Sequence, residues 1–152
     1  MGDLTNFLLP NAPTCIVACS AAEARLWRST SRFGDWEYVT TMSNPSATKS
    51  EAEFASDRPG RAFDSIGAGR HSMSQPESGQ QHEMLVFARR VADYLNRCIV
   101  KNEFAHIVLI GAPKFLGCLR ADLSDPARRA VVMEASKNLG DLDSNAIKKY
   151  FE

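Results

Sequence analysis

The segment from Asp57 to His71 has the residue types best suited to binding an anion. Its charged and flexible positions are Asp57, Arg58, Gly60, Arg61, Asp64, Arg70 and His71. Arginine presents a planar array of N–H donors that matches carboxylates and phosphates, and glycine lets the backbone approach a ligand closely. Two interpretations are open. Either the arginines form a concave site for phosphate or carboxylate, or the two aspartates pair with them and fix the segment onto the domain.

The cysteines and histidines lack the spacing of a metal or nucleophilic site. The cysteines are Cys15, Cys19, Cys98 and Cys118. They include no CxxC pair, the first two share one face of a predicted strand, and we expect all four to be reduced core residues. The histidines are His71, His82 and His106. No ligand-like spacing, catalytic triad or complete dinucleotide or Walker motif is present, so we expect no metal ion, no cofactor and no zinc or redox chemistry.

Length and composition indicate one domain without a strong overall electrostatic field. The chain has 152 residues, of which 44% are apolar, with 18 basic and 18 acidic side chains. Binding to a polyanion would therefore depend on a local patch. We divide the chain into a lead-in of residues 1–13 and a domain of residues 14–152. The lack of a basic leader and of a membrane-spanning apolar run predicts a cytoplasmic protein with no membrane or DNA partner.

The first part of the chain predicts three antiparallel strands. Residues 15–19 form a continuous apolar run, which is typical of a central strand that is covered on both faces. Residues 24–28 alternate in polarity, and residues 36–42 are rich in aromatic and β-branched side chains. A turn at residues 31–35 joins these two runs.

The remaining chain predicts a long loop and then alternating helices and strands. Residues 43–82 have no periodicity, whereas from Met84 apolar residues recur at helical spacing. The opposite face of that helix is basic (Arg89, Arg90, Arg97 and Lys101), and we expect it to be solvated, with partner binding as the alternative. A strand at 106–110, a helix from Pro113, a strand at 130–134 and a helix from about Asp143 follow.

This order predicts a single-domain α/β fold with an RNase H-like mixed five-stranded sheet, in which three antiparallel strands precede strand-helix units and helices cover the sheet. An RNase H-like nuclease holds two metal ions with carboxylates on its first and neighbouring strands. The predicted first strand, residues 15–19, carries no carboxylate. We therefore expect the fold without the nuclease activity.

Several segments resemble the bacterial family of proteins required for attachment to host cells. They are residues 24–27, 56–65, 87–89 and 112–120. The resemblance extends from about Thr14 to Phe151, and residues 56–65 are its most specific part. That family is similar to the middle domain of the archaeal and eukaryotic class-1 peptide-chain release factor. The resemblance therefore implies an RNase H-like fold and an ancestral link to the ribosome.

In the release-factor domain, a Gly-Gly-Gln loop stands just before a long helix that contains a Phe-Ala-Arg stretch. The corresponding place here reads Ser78-Gly79-Gln80-Gln81 and is followed by residues 87–89, Phe-Ala-Arg. The release reaction needs both glycines so that backbone and glutamine can approach the peptidyl-tRNA ester. Because Ser78 replaces the first glycine, the resemblance implies the fold without the hydrolase.

We therefore predict a non-catalytic binding domain that acts in translation through ribosome or tRNA association, with the segment from Asp57 to His71 as its binding surface. One alternative is a peptidyl-tRNA or related ester hydrolase that uses the Gly79-Gln80 loop. The other is a protein-interaction module that supports attachment to host cells indirectly.

Overall fold

The computed structural model describes residues 4–5, 7–45, 79–139 and 142–151. The strands of this part are β1 (Thr14–Cys19), β2 (Glu23–Ser29), β3 (Glu37–Ser43), β4 (His106–Gly111) and β5 (Val131–Ser136). They form one sheet in the order β3-β2-β1-β4-β5. Strands β1 to β3 pair antiparallel, and β4 and β5 continue the sheet in parallel with β1. The predicted α/β fold, with its RNase H-like mixed sheet, is confirmed.

The helices of the described residues are α1 (Gly79–Val100), α2 (Pro113–Asp122), α3 (Asp125–Ala130) and α4 (Ser144–Lys148), followed by a 3-10 turn (Lys149–Phe151). Pro113 occupies the first turn of α2, and the Asp143 carboxylate accepts a hydrogen bond from the backbone N–H of Asn145 at 3.0 Å. Both placements confirm the predicted helix starts. Proline removes one of the unpaired N–H groups of a first turn, and the aspartate carboxylate accepts a hydrogen bond from another.

The sheet has two covered faces, because successive residues of a strand point in opposite directions. Cys15, Val17 and Cys19 of β1 point into a core formed with α1, α2 and α3. Ile16 and Ala18 point into a second core that is closed by the segment before β1 and by residues 142–151. The predicted shared face of the two β1 cysteines is confirmed.

The predicted loop of residues 43–82 is wrong at both ends. Ser43 is the last residue of β3, and Gly79 rather than Met84 begins α1. Residues 79–83 are polar or glycine, and Gln81 and His82 are exposed. The apolar stripe therefore begins several residues after the helix does, and a search for apolar periodicity misses the first turn.

Helix α3 was absent from the sequence prediction. Its local signal is Ser124, whose hydroxyl accepts a hydrogen bond from the N–H of Ala127 at 3.3 Å, followed by Pro126 in the first turn. Asn96 of α1 fixes this junction, since its side chain accepts from the Ser124 N–H at 2.9 Å and donates to the Asp122 carbonyl at 3.2 Å. The predicted strand at 130–134 begins at Val131 because α3 ends at Ala130.

Two backbone positions limit substitution near the sheet. Asn102 lies two residues after the end of α1 and has a φ of 58°, and the N–H of Glu103 bonds to the Cys98 carbonyl at 2.9 Å. This is a Schellman ending, which normally favours glycine at the left-handed position. Gly111 of β4 lies opposite Cys19 of β1, and a Cβ at Gly111 would lie 2.3 Å from the Cys19 carbonyl oxygen.

Candidate binding site

The predicted anion-binding segment lies outside the described residues. This applies to Asp57, Arg58, Gly60, Arg61, Asp64, Arg70 and His71. The choice between an anion site and internal ion pairs therefore stays open, and the segment remains a prediction.

Gln80, the candidate hydrolytic residue, lies in the first turn of α1 and not in a loop. None of the residues from Gln80 to Glu83 is a proline or glycine, so the helix continues toward its N-terminus beyond the apolar stripe. The Gly79-Gln80 loop of the hydrolase alternative is therefore a helical turn.

The cysteines of β1 have the properties of core residues. Both side chains are fully buried, and burial raises the pKa of the Cys15 thiol far above its ordinary value and that of Cys19 to about 12. The Cys19 thiol donates to the Ile110 carbonyl at 3.5 Å. A thiol that keeps its proton at neutral pH is a poor nucleophile and a poor metal ligand.

Strand β1 and its parallel neighbour β4 contain no aspartate or glutamate. The other neighbour, β2, carries Glu23, which forms an ion pair with Arg25 at 3.1 Å. Within residues 4–5, 7–45, 79–139 and 142–151, no group of three or more His, Cys, Asp or Glu side chains could hold a metal ion.

A surface groove of about 400 Å³ lies where three distant parts of the chain meet. One wall is the segment before β1 (Phe7 to Leu9), and the second is the turn between β2 and β3 (Arg32 to Trp36). The third is formed by Lys148 at the end of α4 and by Phe151 in the 3-10 turn that follows. The volume is within the range of roughly 300–1,000 Å³ that is typical of small-ligand sites. We refer to this feature as the aromatic groove.

Tilted and edge-to-face ring contacts connect the aromatic groove with the second core. Trp36 meets Phe151 edge to face at 5.5 Å between ring centroids, and Phe7 lies 6.4 Å from Phe151. On its other side, Trp36 lies 5.9 Å from Trp27, which is buried in β2. Such pairs are worth roughly 0.5–1.5 kcal/mol beyond the area that they bury. The floor of the groove is therefore a fixed surface.

Two cations border this floor. The Lys148 ammonium lies 5.3 Å from the centre of the Trp36 ring. The Arg32 Nε donates to the Leu9 carbonyl at 3.1 Å, and the Arg32 backbone N–H donates to Asn11 Oδ1 at 2.7 Å. These bonds hold the turn and its guanidinium against the segment before β1. Asp35 is the acidic residue among those lining the groove, so the lining is positive on balance.

Phe33 projects from the tip of the same turn and is 90% exposed. The turn beneath it is closed by a hydrogen bond from the Gly34 N–H to the Ser31 carbonyl at 3.4 Å. A large apolar side chain at this exposure contributes almost nothing to the core. Phe33 lines the groove together with Arg32 and Lys148, so its exposed ring is accessible to a molecule bound there.

The basic face of α1 has structural partners in part. Arg90 donates to the Ser43 carbonyl at 3.3 Å and lies over the Phe87 ring at 5.6 Å, which joins the helix to the end of β3. Arg89 lies 3.9 Å from the Asp122 carboxylate. These contacts favour the interpretation that this face is mainly structural and solvated.

The sequence prediction missed the aromatic groove. The sequence predicts only a turn at residues 31–35 and a strand at residues 36–42, and it predicts only a lead-in for residues 1–13. The available signal was local: two aromatic residues, Phe33 and Trp36, in a turn that also contains Arg32. The other walls come from the two ends of the domain, and no spacing rule connects them.

None of the helices in the described ranges combines the length and the apolar character that a membrane span requires.

A comparison with curated proteins gave no significant match. The sequence model of one protein family, described as protein required for attachment to host cells, matches residues 15–151. Its description indicates a role in host-cell attachment. The match confirms the resemblance to that family, whereas the relation to the release-factor domain stays a prediction. Because the match covers nearly the whole sequence, the chain belongs to the family of proteins required for attachment to host cells.

Proposed function

We propose that this protein is a non-catalytic binding domain that associates with the ribosome or with a tRNA, and that its part in host attachment follows from this binding. The observation that supports the proposal best is the aromatic groove, which combines a fixed aromatic floor with Arg32 and Lys148. Rings stack on unpaired bases, and cations contact the phosphates between them. The lining therefore contains both side-chain types, aromatic and cationic, that bind single-stranded RNA.

Two features of the described residues support a non-catalytic role. The β1 thiols are buried and keep their protons, and the backbone at Gln80 is helical. A release-type reaction would require an extended, glycine-rich approach of Gln80 to the ester, and Ser78 stands in place of one of the glycines.

The segment from Asp57 to His71 is proposed as a second contact surface. If Arg61 contacts an RNA phosphate, Arg61→Ala should weaken RNA binding roughly ten- to a hundred-fold and leave the melting temperature unchanged. If the aspartates neutralise the arginines internally, the same variant should melt at a lower temperature and bind RNA normally.

The experiment that tests the proposal is affinity purification of the tagged full chain from native lysate, with and without ribonuclease. We expect ribosomal RNA or tRNA to be recovered and to be lost after ribonuclease treatment. A protein partner retained equally in both samples would instead favour the protein-interaction module.

A parallel assay addresses the ester hydrolase. We expect no release of peptide from peptidyl-tRNA above the buffer control, and no difference between the wild type and Gln80→Ala. Release activity that is lost in Gln80→Ala would refute the non-catalytic assignment.

A further inference from the structure

We propose that the aromatic groove binds an unpaired RNA nucleotide, with the base against Phe33 and the phosphate held by Arg32 and Lys148. This inference rests on the proposed function and names the surface that carries it. The groove, its rings and its two cations are formed by described residues of the N-terminal segment, the β2–β3 turn and the C-terminal turn.

The first argument concerns the exposed ring. Phe33 is 90% exposed at the tip of a turn that is held by the Arg32 backbone bond to Asn11 and by the hydrogen bond from the Gly34 N–H to the Ser31 carbonyl at 3.4 Å. A base can stack on such a ring without displacing any core side chain. Trp36, in contrast, is already packed against Phe151 and Trp27, so it forms the floor beneath the base.

The second argument concerns charge. The Nε of Arg32 bonds to the Leu9 carbonyl, and no described residue accepts a hydrogen bond from its terminal amino groups. Lys148 lines the same groove and lies over the Trp36 ring at 5.3 Å. A phosphate between the two cations would meet a guanidinium and an ammonium, whereas an apolar peptide would remove both charges from water without compensation.

The third argument concerns strandedness. Stacking requires a base whose face is free, and the bases of a duplex already stack on one another. The Watson–Crick edge is not needed for this mode, so binding should tolerate sequence changes and discriminate against duplexes.

The test measures fluorescence anisotropy of a labelled ten-nucleotide single-stranded RNA of mixed sequence, with its duplex as the comparison. We expect the wild-type chain to bind the single strand more tightly than the duplex. Phe33→Ala should weaken binding of the single strand roughly 5- to 150-fold, the usual range for loss of one base–aromatic stack. Its thermal unfolding should match the wild type, because the ring is outside the core.

The matched control is Tyr38→Ala. Tyr38 is 59% exposed on β3 and does not line the groove. This variant should bind RNA as the wild type does. Lys148→Gln should make the dependence of log K on log salt shallower by about 0.7, because one phosphate contact to a single strand is lost, and Lys148→Arg should restore the slope.

The outcomes separate this inference from the proposed function. If the wild type binds single-stranded RNA and Phe33→Ala binds it equally well, or if Tyr38→Ala weakens binding as much as Phe33→Ala, the groove is not the site, while association with RNA stands. Tighter binding of the duplex would also overturn the groove. If the wild type binds neither RNA, and no RNA is recovered from lysate, both proposals fail.

Discussion

Gly111→Ala gives the most direct test of the packing between β1 and β4. A Cβ at this position would lie 2.3 Å from the Cys19 carbonyl oxygen and 2.9 Å from the Cys19 sulfur. An ordinary carbon–oxygen contact is about 3.3 Å or longer. The two strands would therefore have to separate locally by on the order of 1 Å, and their hydrogen bonds, together with the Cys19–Ile110 contact, would lengthen.

The expected cost follows from that displacement. Overpacking a well-packed core costs typically 1–3 kcal/mol, and a clash with backbone oxygen in a central strand is at the upper end of that range. We expect Gly111→Ala to lower the free energy of unfolding by about 3 kcal/mol. For a domain of this size, this loss corresponds to a fall in Tm of roughly 6–12 °C.

Gly117→Ala is the matched control. Gly117 lies in α2, and the nearest atom to its added Cβ would be an Arg120 nitrogen at 3.9 Å, an ordinary contact. Replacing a helical glycine by alanine should stabilise the protein by roughly 0.5–1 kcal/mol. Thermal and denaturant unfolding of both variants measures the difference. A Tm of Gly111→Ala within about 1 °C of the wild type would refute the argued clash.

Three further predictions concern the rest of the domain. Asn102→Gly should raise the free energy of unfolding by about 0.5 kcal/mol, because glycine adopts a φ of 58° without a Cβ penalty; a lower Tm would contradict this. In folded protein at pH 8, a thiol reagent should label the partly exposed Cys118 well before Cys15 and Cys19. The free energy of unfolding should also fall above about pH 9, because the thiols of the unfolded chain ionise there while the two buried thiols stay protonated. Asn96→Ala should cost about 2 kcal/mol in denaturant unfolding, since it removes two hydrogen bonds to backbone groups before α3; a loss below about 0.5 kcal/mol would show that water replaces them.

The sequence predicted the elements whose apolar pattern extends over their whole length. The run at residues 15–19 became a strand that is buried on both faces, and the stripe from Met84 became the buried side of α1. Where an element turns polar side chains to water, the pattern disappears. For this reason the first turn of α1 and the short α3 were missed, although Ser124 and Pro126 are ordinary helix-start residues.

The candidate site was predicted much less well than the fold. The aromatic groove depends on Phe7, Trp36 and Phe151 meeting in space. These residues are far apart in the sequence, and the topology of the sheet brings them together, so no local pattern predicts their contact. Sequence reasoning favoured the segment from Asp57 to His71, because its arginines and glycines lie close together along the chain. Arg61→Ala tests that segment, and Phe33→Ala tests the aromatic groove.

The second face of the sheet is closed by segments that lie outside the five strands. Ile16 and Val108 are covered jointly by the segment before β1 and by Ile147 and its neighbours. The strands can therefore pair with one another before these two segments dock. A partly folded domain of this kind would present an apolar sheet surface to chaperones or to other chains. A chain truncated after β5 would keep that surface exposed, and we expect it to aggregate.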